Sequence, residues 1–453
     1  MCGVVAVAGP NAAGMVDRLE GPTAMDHRGV RSGMRYGSNW AMRHVRLPIV
    51  GVGEEHDQPM ARSGWIIGFV GELMNFRELH GTRYECDAEL AADVWIDNGM
   101  AGFRLYDGFW HLVAIEERTG DVYVVADYLA QKPVYVRIGD DYSAVASEPD
   151  TLAALSPTIP DRIYLSAVVK WGYCPETRRT PYVGISRVLP GEAWHIPYYG
   201  RPESTVVDPV APILGASPRD LRLAVIRSVT RRIQSSDVPI GCLVSGGVDS
   251  SVVYSLAGRN SDVRGYHIPN GEDEYAQEVA PDAVRVDPSL VPLHEAADWM
   301  QEPIDLGSLV PQACMSASVR AVGGEVVCLT GDGADELFGG YGRAGRYDSQ
   351  ASDVWQELVA WHLPRLDRIM MRNLIEVRSP FLGREVVRIA LGIPWRERTS
   401  KGFLKEAFRG LVSDRIVDRP KVPLKTGDVE SDREGRSLDL VSRFIKKEWG
   451  IPE

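Results

Sequence analysis

The sequence predicts a two-domain protein of mixed α+β and α/β class, an antiparallel sheet sandwich followed by a parallel-sheet α/β domain. Three observations carry this. Residues 1 to 150 are dominated by short apolar or alternating runs separated by turn signals, the pattern of stacked antiparallel strands. Pro197, Pro202, Pro209, Pro212 and Pro218 then mark a shift in composition. Beyond them, apolar strand, glycine turn and helix recur in the order that builds a parallel sheet.

The candidate strands of the first domain are Val4 to Ala8, Trp65 to Val70, Phe109 to Ile115, Val122 to Ala126 and Tyr142 to Ala146. Domains are expected over residues 2–195 and 217–453, with 196–216 as a linker. Ser217-Pro218-Arg219-Asp220 carries helix-start chemistry: a serine cap, proline at the first helical position and an acid three residues after the cap. Leu221, Val225, Val229 and Ile233 follow at every fourth position and give that helix one buried face. Ile240 to Val244 reads as a strand, Ser250 to Leu256 as a helix, and Glu325 to Leu329 opens a second such unit.

Composition narrows the function. A chain of 453 residues has room for two or three cores. Its 50 Lys+Arg against 62 Asp+Glu leave a net charge of −12, which argues against nucleic acid or an anionic membrane as partner, since both demand a basic face. No apolar run approaches the ~18–20 residues that cross a bilayer, and no positive charge precedes Arg18 as a secretory signal requires. The six cysteines contain no C-x-x-C pair, against a zinc knuckle or disulfide framework. A cytoplasmic protein is expected. Cys2 stands apart, because it becomes the first residue once Met1 is removed.

The strongest local signal is Ser245-Gly246-Gly247-Val248-Asp249-Ser250-Ser251. Two glycines let backbone amides approach an anion, the hydroxyls donate to phosphate oxygens, and the following helix adds its positive end. An aspartate inside such a loop needs a cation between itself and the phosphates, which implies Mg²⁺. The lysine of the G-x-x-x-x-G-K-S/T loop is absent, so the site is expected to hold pyrophosphate rather than transfer a terminal phosphoryl group.

This string resembles the S-G-G-x-D-S loop of the asparagine synthetase branch of the N-type ATP pyrophosphatases. Leu329 to Tyr341 (L-T-G-D-G-A-D-E-L-F-G-G-Y), Asp367-Arg368 with Glu376 to Leu382, and Arg419-Pro420-Lys421 match further family motifs. The resemblance implies that ATP activates a carboxylate as an acyl-adenylate with release of pyrophosphate, and that ammonia then displaces AMP. It implies that Val244, Ser245, Gly246, Gly247, Asp249, Ser250, Ser251, Ile268, Thr330 and Gly331 hold ATP and pyrophosphate, and that Asp249 and Asp335 hold Mg²⁺. Asp332 and Lys421 take the catalytic positions, a carboxylate that can accept a proton from ammonia and a cation beside the reacting phosphate. Glu376 and Arg378 are expected to pair structurally, and Gly383 stands where the family usually has Asp.

Met1-Cys2-Gly3 resembles the start of class II glutamine amidotransferases, N-terminal nucleophile (Ntn) enzymes of four-layer αββα fold. An N-terminal cysteine can use its own α-amine, of pKa near ~8, as general base. By the same resemblance, Arg46, Ile49, Val50, Gly71, Glu72 and Asp87 bind glutamine, with Arg46 on its α-carboxylate and Asp87 on its α-amine. Val70 replaces the asparagine of the family's N-G-E, an oxyanion donor whose loss typically costs about 10²–10³-fold in rate, unless Asn75 substitutes.

The resemblance thus implies glutamine-dependent amidation of aspartate, with ATP and Mg²⁺. A related synthetase using another carboxylate, and an ammonia-dependent enzyme with a weak glutaminase, stay open. The retained Cys2 argues against intramolecular lactam formers, and the retained Asp249 and Asp335 argue against a silent regulator. An internal ammonia channel and a homodimer are also implied.

Overall fold

The computed structural model describes residues 2–269, 271–304, 307–340, 356–420 and 433–450. The first six-stranded antiparallel sheet runs, in spatial order, Ile185–Arg187, Tyr135–Ile138, Ser143–Ala146, Gly3–Ala8, Trp40–Arg46 and Arg31–Tyr36. The second runs Glu203–Val206, Glu192–Ile196, Val122–Ala126, Gly108–Glu116, Trp65–Leu73 and Met60–Arg62. Alternation along Gly3–Ala8 explains why all six of its residues are buried. Val4, Ala6 and Ala8 face the second sheet beside Val70, Val113 and Val124, while Val5 and Val7 pack beneath the helices Ala12–Asp17 and Pro149–Leu155. Helix Asp87–Asn98 covers the outer face of the second sheet and completes the expected αββα layering.

The third sheet is parallel throughout, in the order Val284–Arg285, Arg264–His267, Ile240–Leu243, Val327–Leu329 and Glu376–Arg378. Helices Val248–Ala257, Leu309–Val322 and Leu363–Met371 pack on it. Helix Pro218–Gln234 starts with the capping box read from the sequence. Asp220 N donates to Ser217 Oγ at 3.3 Å, and Ser217 N donates back to Asp220 Oδ2 at 2.8 Å. Leu221, Val225 and Val229 are buried as its period requires.

Two features cross the expected boundary. Strand Glu203–Val206 pairs with Glu192–Ile196 inside the sandwich, although it lies in the segment expected as linker. Helix Arg433–Trp449 returns to the first domain, where Phe444 and Trp449 pack on Tyr182 at ring separations of 5.9 and 5.6 Å. The two domains share one continuous apolar core, in which Leu47, Ile67 and Trp95 are clustered with Leu221, Val225 and Phe381. All six cysteines are free and buried. Among the described residues, no helix is long and apolar enough to cross a membrane.

Candidate active sites

The first site forms at the start of strand Gly3–Ala8. Arg28, fully buried, donates from Nε to the Cys2 carbonyl at 2.9 Å, from Nη1 to Glu148 at 2.9 Å, and from Nη2 to Asp367 of the second domain at 2.8 Å. One guanidinium thus fixes the Cys2 backbone and ties it to both domains. Burial pushes the Cys2 thiol up, while the amino terminus, the Leu47 N–H and Arg46 pull it down. A neutral thiol of this kind needs a base beside it, the role an α-amine fills. The buried imidazoles His44 and His111 are lowered by burial to about 4 and about 3; they bond Phe69 O and Ser147 Oγ and stay neutral.

Arg46 acts on this thiol, the amino terminus acts on Glu72, and Asp87 lies beside Glu72, each carried by a different element. Arg46 ends strand Trp40–Arg46, and its guanidinium donates to Val50 O at 3.1 Å, Gly51 O, Gly53 O at 2.8 Å and Asp57 Oδ1 at 2.9 Å. It therefore shapes the loop carrying Ile49 and Val50. That loop is pinned to the second domain, with Asp237 N donating to Ile49 O and Gly51 N donating to Asp237 Oδ2 at 2.9 Å. Gly71 has φ +112°, and a Cβ there would lie 2.0 Å from Phe109 O, so only glycine fits and its N–H stays in place.

Glu72 and Asp87 form a buried carboxyl pair. Asp87 Oδ2 accepts the Leu73 N–H at 2.7 Å, and one Glu72 oxygen is buried without a hydrogen bond among the described residues. Burial, Asp87 and Glu376 raise Glu72 well above the usual carboxylate range, and burial raises Asp87 to about 6. Val70 lies in the apolar layer that also contains Cys2. Asn75 does not replace the missing donor: its side chain donates to Leu105 O at 3.1 Å and accepts the Asp107 N–H at 2.9 Å, which commits it to a turn.

The second site lies at the carboxyl ends of the parallel strands, where open α/β sheets place ligands. Ser245 to Ser251 leave strand Ile240–Leu243 and open helix Val248–Ala257. Gly246 has φ +71°, and an added Cβ would meet Ala276 N at 2.6 Å. Ser250 Oγ accepts the Ser245 N–H at 3.0 Å. The neighbouring loop packs directly on this one, since a Cβ on Gly331 would lie 2.8 Å from Ser250 N. Thr330, Gly331, Val244 and Ile268 therefore gather beside the loop, with Val244 N bonded to Tyr266 O.

Asp249 and Asp335 converge on one cation that the motifs did not reveal. Lys401 Nζ contacts both carboxylates. Burial works against its charge, yet Asp249 and Asp335 overcome this and hold the ammonium above lysine's usual range. Lys401 and Ser400 are both left-handed, at φ +60° and +57°, a backbone that costs energy outside glycine and persists where the surroundings impose it. Asp332 points elsewhere: Thr330 Oγ1 donates to its Oδ2, and Arg365 Nη2 donates to its Oδ1 at 3.2 Å. Lys421 lies outside the described residues.

The two sites meet through the third sheet and one helix. Glu376 and Arg378 pair as expected, with Arg378 Nε donating to Glu376 at 2.7 Å, and Arg378 also lies 3.9 Å from Glu72. Helix Leu363–Met371 presents Arg365 to Asp332 and Asp367 to Arg28 and Lys132, the latter at 3.2 Å. A cavity of about 20 Å³, room for one water-sized molecule, opens beside it and is lined by Phe109, Gln131, Lys132, Leu366, Asp367 and Val377 among others. The unusual Gly383 is explained by packing, because a Cβ there would lie 2.4 Å from Ser228 Oγ.

The comparisons agree with this pairing of sites. A family profile described as asparagine synthase matches residues 220–362 and 352–448, and one described as a glutamine amidotransferase domain matches residues 1–204. The chain belongs to the asparagine synthase family. Among relatives, a glutamine-hydrolyzing asparagine synthetase of Sandersonia aurantiaca is 26% identical over 90% of this chain and 82% of its own. A putative glutamine-hydrolyzing asparagine synthetase of Methanocaldococcus jannaschii is 28% identical over 90% of this chain and 80% of its own. Within this asparagine synthase family chain, sequence reasoning found the contiguous loops and missed Lys401 and Arg365. Neither sits in a recognisable string; a lysine in Thr399-Ser400-Lys401-Gly402 looks like any surface cation until the fold buries it.

Proposed function

We propose that the chain is a glutamine-dependent asparagine synthetase. The α-amine of Cys2, freed by removal of Met1, takes the thiol proton; the thiolate attacks the glutamine amide, and the Gly71 N–H donates to the developing oxyanion. Arg46 holds the α-carboxylate, and Glu72 with Asp87 holds the α-ammonium. Ammonia leaves, and water later releases glutamate from Cys2. In the second domain, the aspartate side-chain carboxylate attacks the α-phosphorus of ATP, pyrophosphate departs into the Ser245 to Ser251 loop, and ammonia displaces AMP with Asp332 placed to accept its proton.

Mg²⁺ fits the donor set, because Asp249 and Asp335 already converge on a single cationic atom. Bound by these two carboxylates, it would neutralise charge on the leaving pyrophosphate. Lys401 supplies positive charge on the same side, and Lys421 is proposed to do so near the reacting phosphate.

The observation that carries the reading is the shared interface. Asp367 bonds the arginine that holds Cys2, Arg365 two residues earlier bonds Asp332, and a cavity lined by Phe109, Gln131 and Lys132 of the first domain and Leu366, Asp367 and Val377 of the second adjoins that helix. We propose that ammonia passes there, shielded from bulk water that would protonate it. The test incubates the protein with ATP, Mg²⁺ and ammonium or glutamine, and a panel of carboxylates, scoring pyrophosphate and AMP. Aspartate should support release with either nitrogen source. Release with another acid and none with aspartate overturns the assignment.

A further inference from the structure

We propose that His56, Glu55 and Glu85 form a binding site for a divalent transition-metal ion that ties together the two walls of the glutamine pocket. The site's existence is independent of the proposed function; only its kinetic consequence rests on Arg46 and Asp87 holding glutamine.

His56 closes the short turn Glu54–His56 and is only 5% exposed. Its Nδ1 bonds Glu89 Oε1 at 3.1 Å. Its Nε2 makes no hydrogen bond among the described residues and faces Glu55 Oε1 at 3.6 Å and Glu85 Oε2 at 3.7 Å. One nitrogen and two carboxylate oxygens thus lie within 4.8 Å of one another. Around a tetrahedral zinc ion with bonds of about 2.0–2.1 Å, neighbouring ligand atoms are about 3.3 Å apart, so the two contacts of His56 Nε2, at 3.6 and 3.7 Å, are within a few tenths of an ångström of that geometry and the two carboxylates need only draw together. Glu55 and Glu85 are largely exposed and free to do so, leaving the remaining position to water.

The bond between Nδ1 and Glu89 is a second observation pointing the same way. Metal-binding histidines commonly give their other ring nitrogen to a carboxylate, which fixes the tautomer and aims the free nitrogen at the ion. Imidazole with two carboxylates favours Zn²⁺ or Mn²⁺ over the all-oxygen sites preferred by Ca²⁺ and Mg²⁺.

The location gives the ion a task. His56 lies in the loop that Arg46 holds through Gly53 and Asp57. Glu85 precedes Cys86, the cap of helix Asp87–Asn98, and Glu89 lies in that helix's first turn. Gly51, at φ +57°, lets these segments touch: a Cβ there would lie 2.8 Å from both Cys86 Cβ and His56 Cδ2. An ion would therefore brace the Arg46 loop against the Asp87 helix.

The test titrates metal-free, full-length Cys2→Ala protein with ZnCl₂ by calorimetry, so that the nucleophilic thiol takes no zinc. One ion should bind per chain, binding should be lost in His56→Ala and in the surface variant Glu85→Ala, and it should weaken about 10–100-fold in Glu89→Gln. In the same Cys2→Ala protein, zinc should tighten glutamine binding, read as a lower Kd, and leave ammonia-dependent synthesis unchanged. No zinc binding, or binding unaltered in all three variants, overturns the site and leaves His56 as an imidazole among carboxylates. Zinc binding without a change in the glutamine Kd of Cys2→Ala overturns the coupling.

Discussion

The two sites balance buried charge in opposite ways. At the Cys2 site, Glu72, Asp87 and Glu376 gather beside Arg378, and burial with their mutual repulsion raises the pKa of Glu72 and Asp87. At the Ser245 to Ser251 loop, Asp249 and Asp335 share Lys401, and Asp332 pairs with Arg365. Burial alone destabilises every one of these charges, so the difference lies in where the compensating charge comes from. On the proposed reading, the first site leaves room for a cation brought by the substrate, the α-ammonium of glutamine. The second carries its own cation and is prepared for an anion.

The largest expected effects separate the two sites cleanly. Cys2→Ala should reduce glutamine-dependent synthesis by about 10⁴-fold or more while sparing ammonia-dependent synthesis, and Asp249→Asn should remove AMP formation with either nitrogen source. Parallel loss of both activities in Cys2→Ala would break the comparison.

Removing the built-in cation comes next. Lys401→Ala removes the cation that Asp249 and the part-buried Asp335 share, and breaking a largely buried ion pair this way costs about 3–5 kcal/mol. Pyrophosphate release should fall about 10²–10³-fold, whereas glutamate release from glutamine should stay near wild type. Arginine at this position should rescue poorly, because a planar fork does not replace a compact ammonium.

Val70→Asn sharpens the glutaminase side. It returns a donor next to Cys2 and should raise glutamate release by up to about 10²-fold. Val70 is fully buried in the apolar layer, so the same change should lower stability by about 1–3 kcal/mol, seen as a reduced Tm.

The smallest effect is a pH dependence. Asp87 is pushed up to about 6, so its carboxylate is present above that pH and takes up a proton below it. The KM for glutamine should therefore rise as pH falls through 6, approaching tenfold per unit. The KM for ATP should show no matching rise, and Asp87→Asn should flatten the glutamine profile.

Much of the fold and of both sites is legible in the amino-acid sequence. The strands Val4 to Ala8, Phe109 to Ile115 and Val122 to Ala126 fall within a residue or so of those observed, because a period of two along a buried strand is a local property. The Ser217 cap and the Ser245 to Ser251 loop are equally plain, since each completes its own hydrogen bonding within a few residues. The return of helix Arg433–Trp449 onto Tyr182 is not, and neither is the incorporation of Glu203–Val206 into the sandwich, because both depend on partners far along the chain.

By itself, then, the sequence determined the fold class and singled out Cys2 as the candidate nucleophile and Ser245 to Ser251 as the candidate anion loop, all features whose chemistry is written in consecutive residues. Tertiary structure alone decided which cation answers Asp249 and Asp335, that Asn75 is committed to a turn, and that one helix joins Arg28 of the first domain to Asp332 of the second. The physical reason is that a buried charge takes its character from whatever the fold packs against it, and those partners lie from tens to hundreds of residues away.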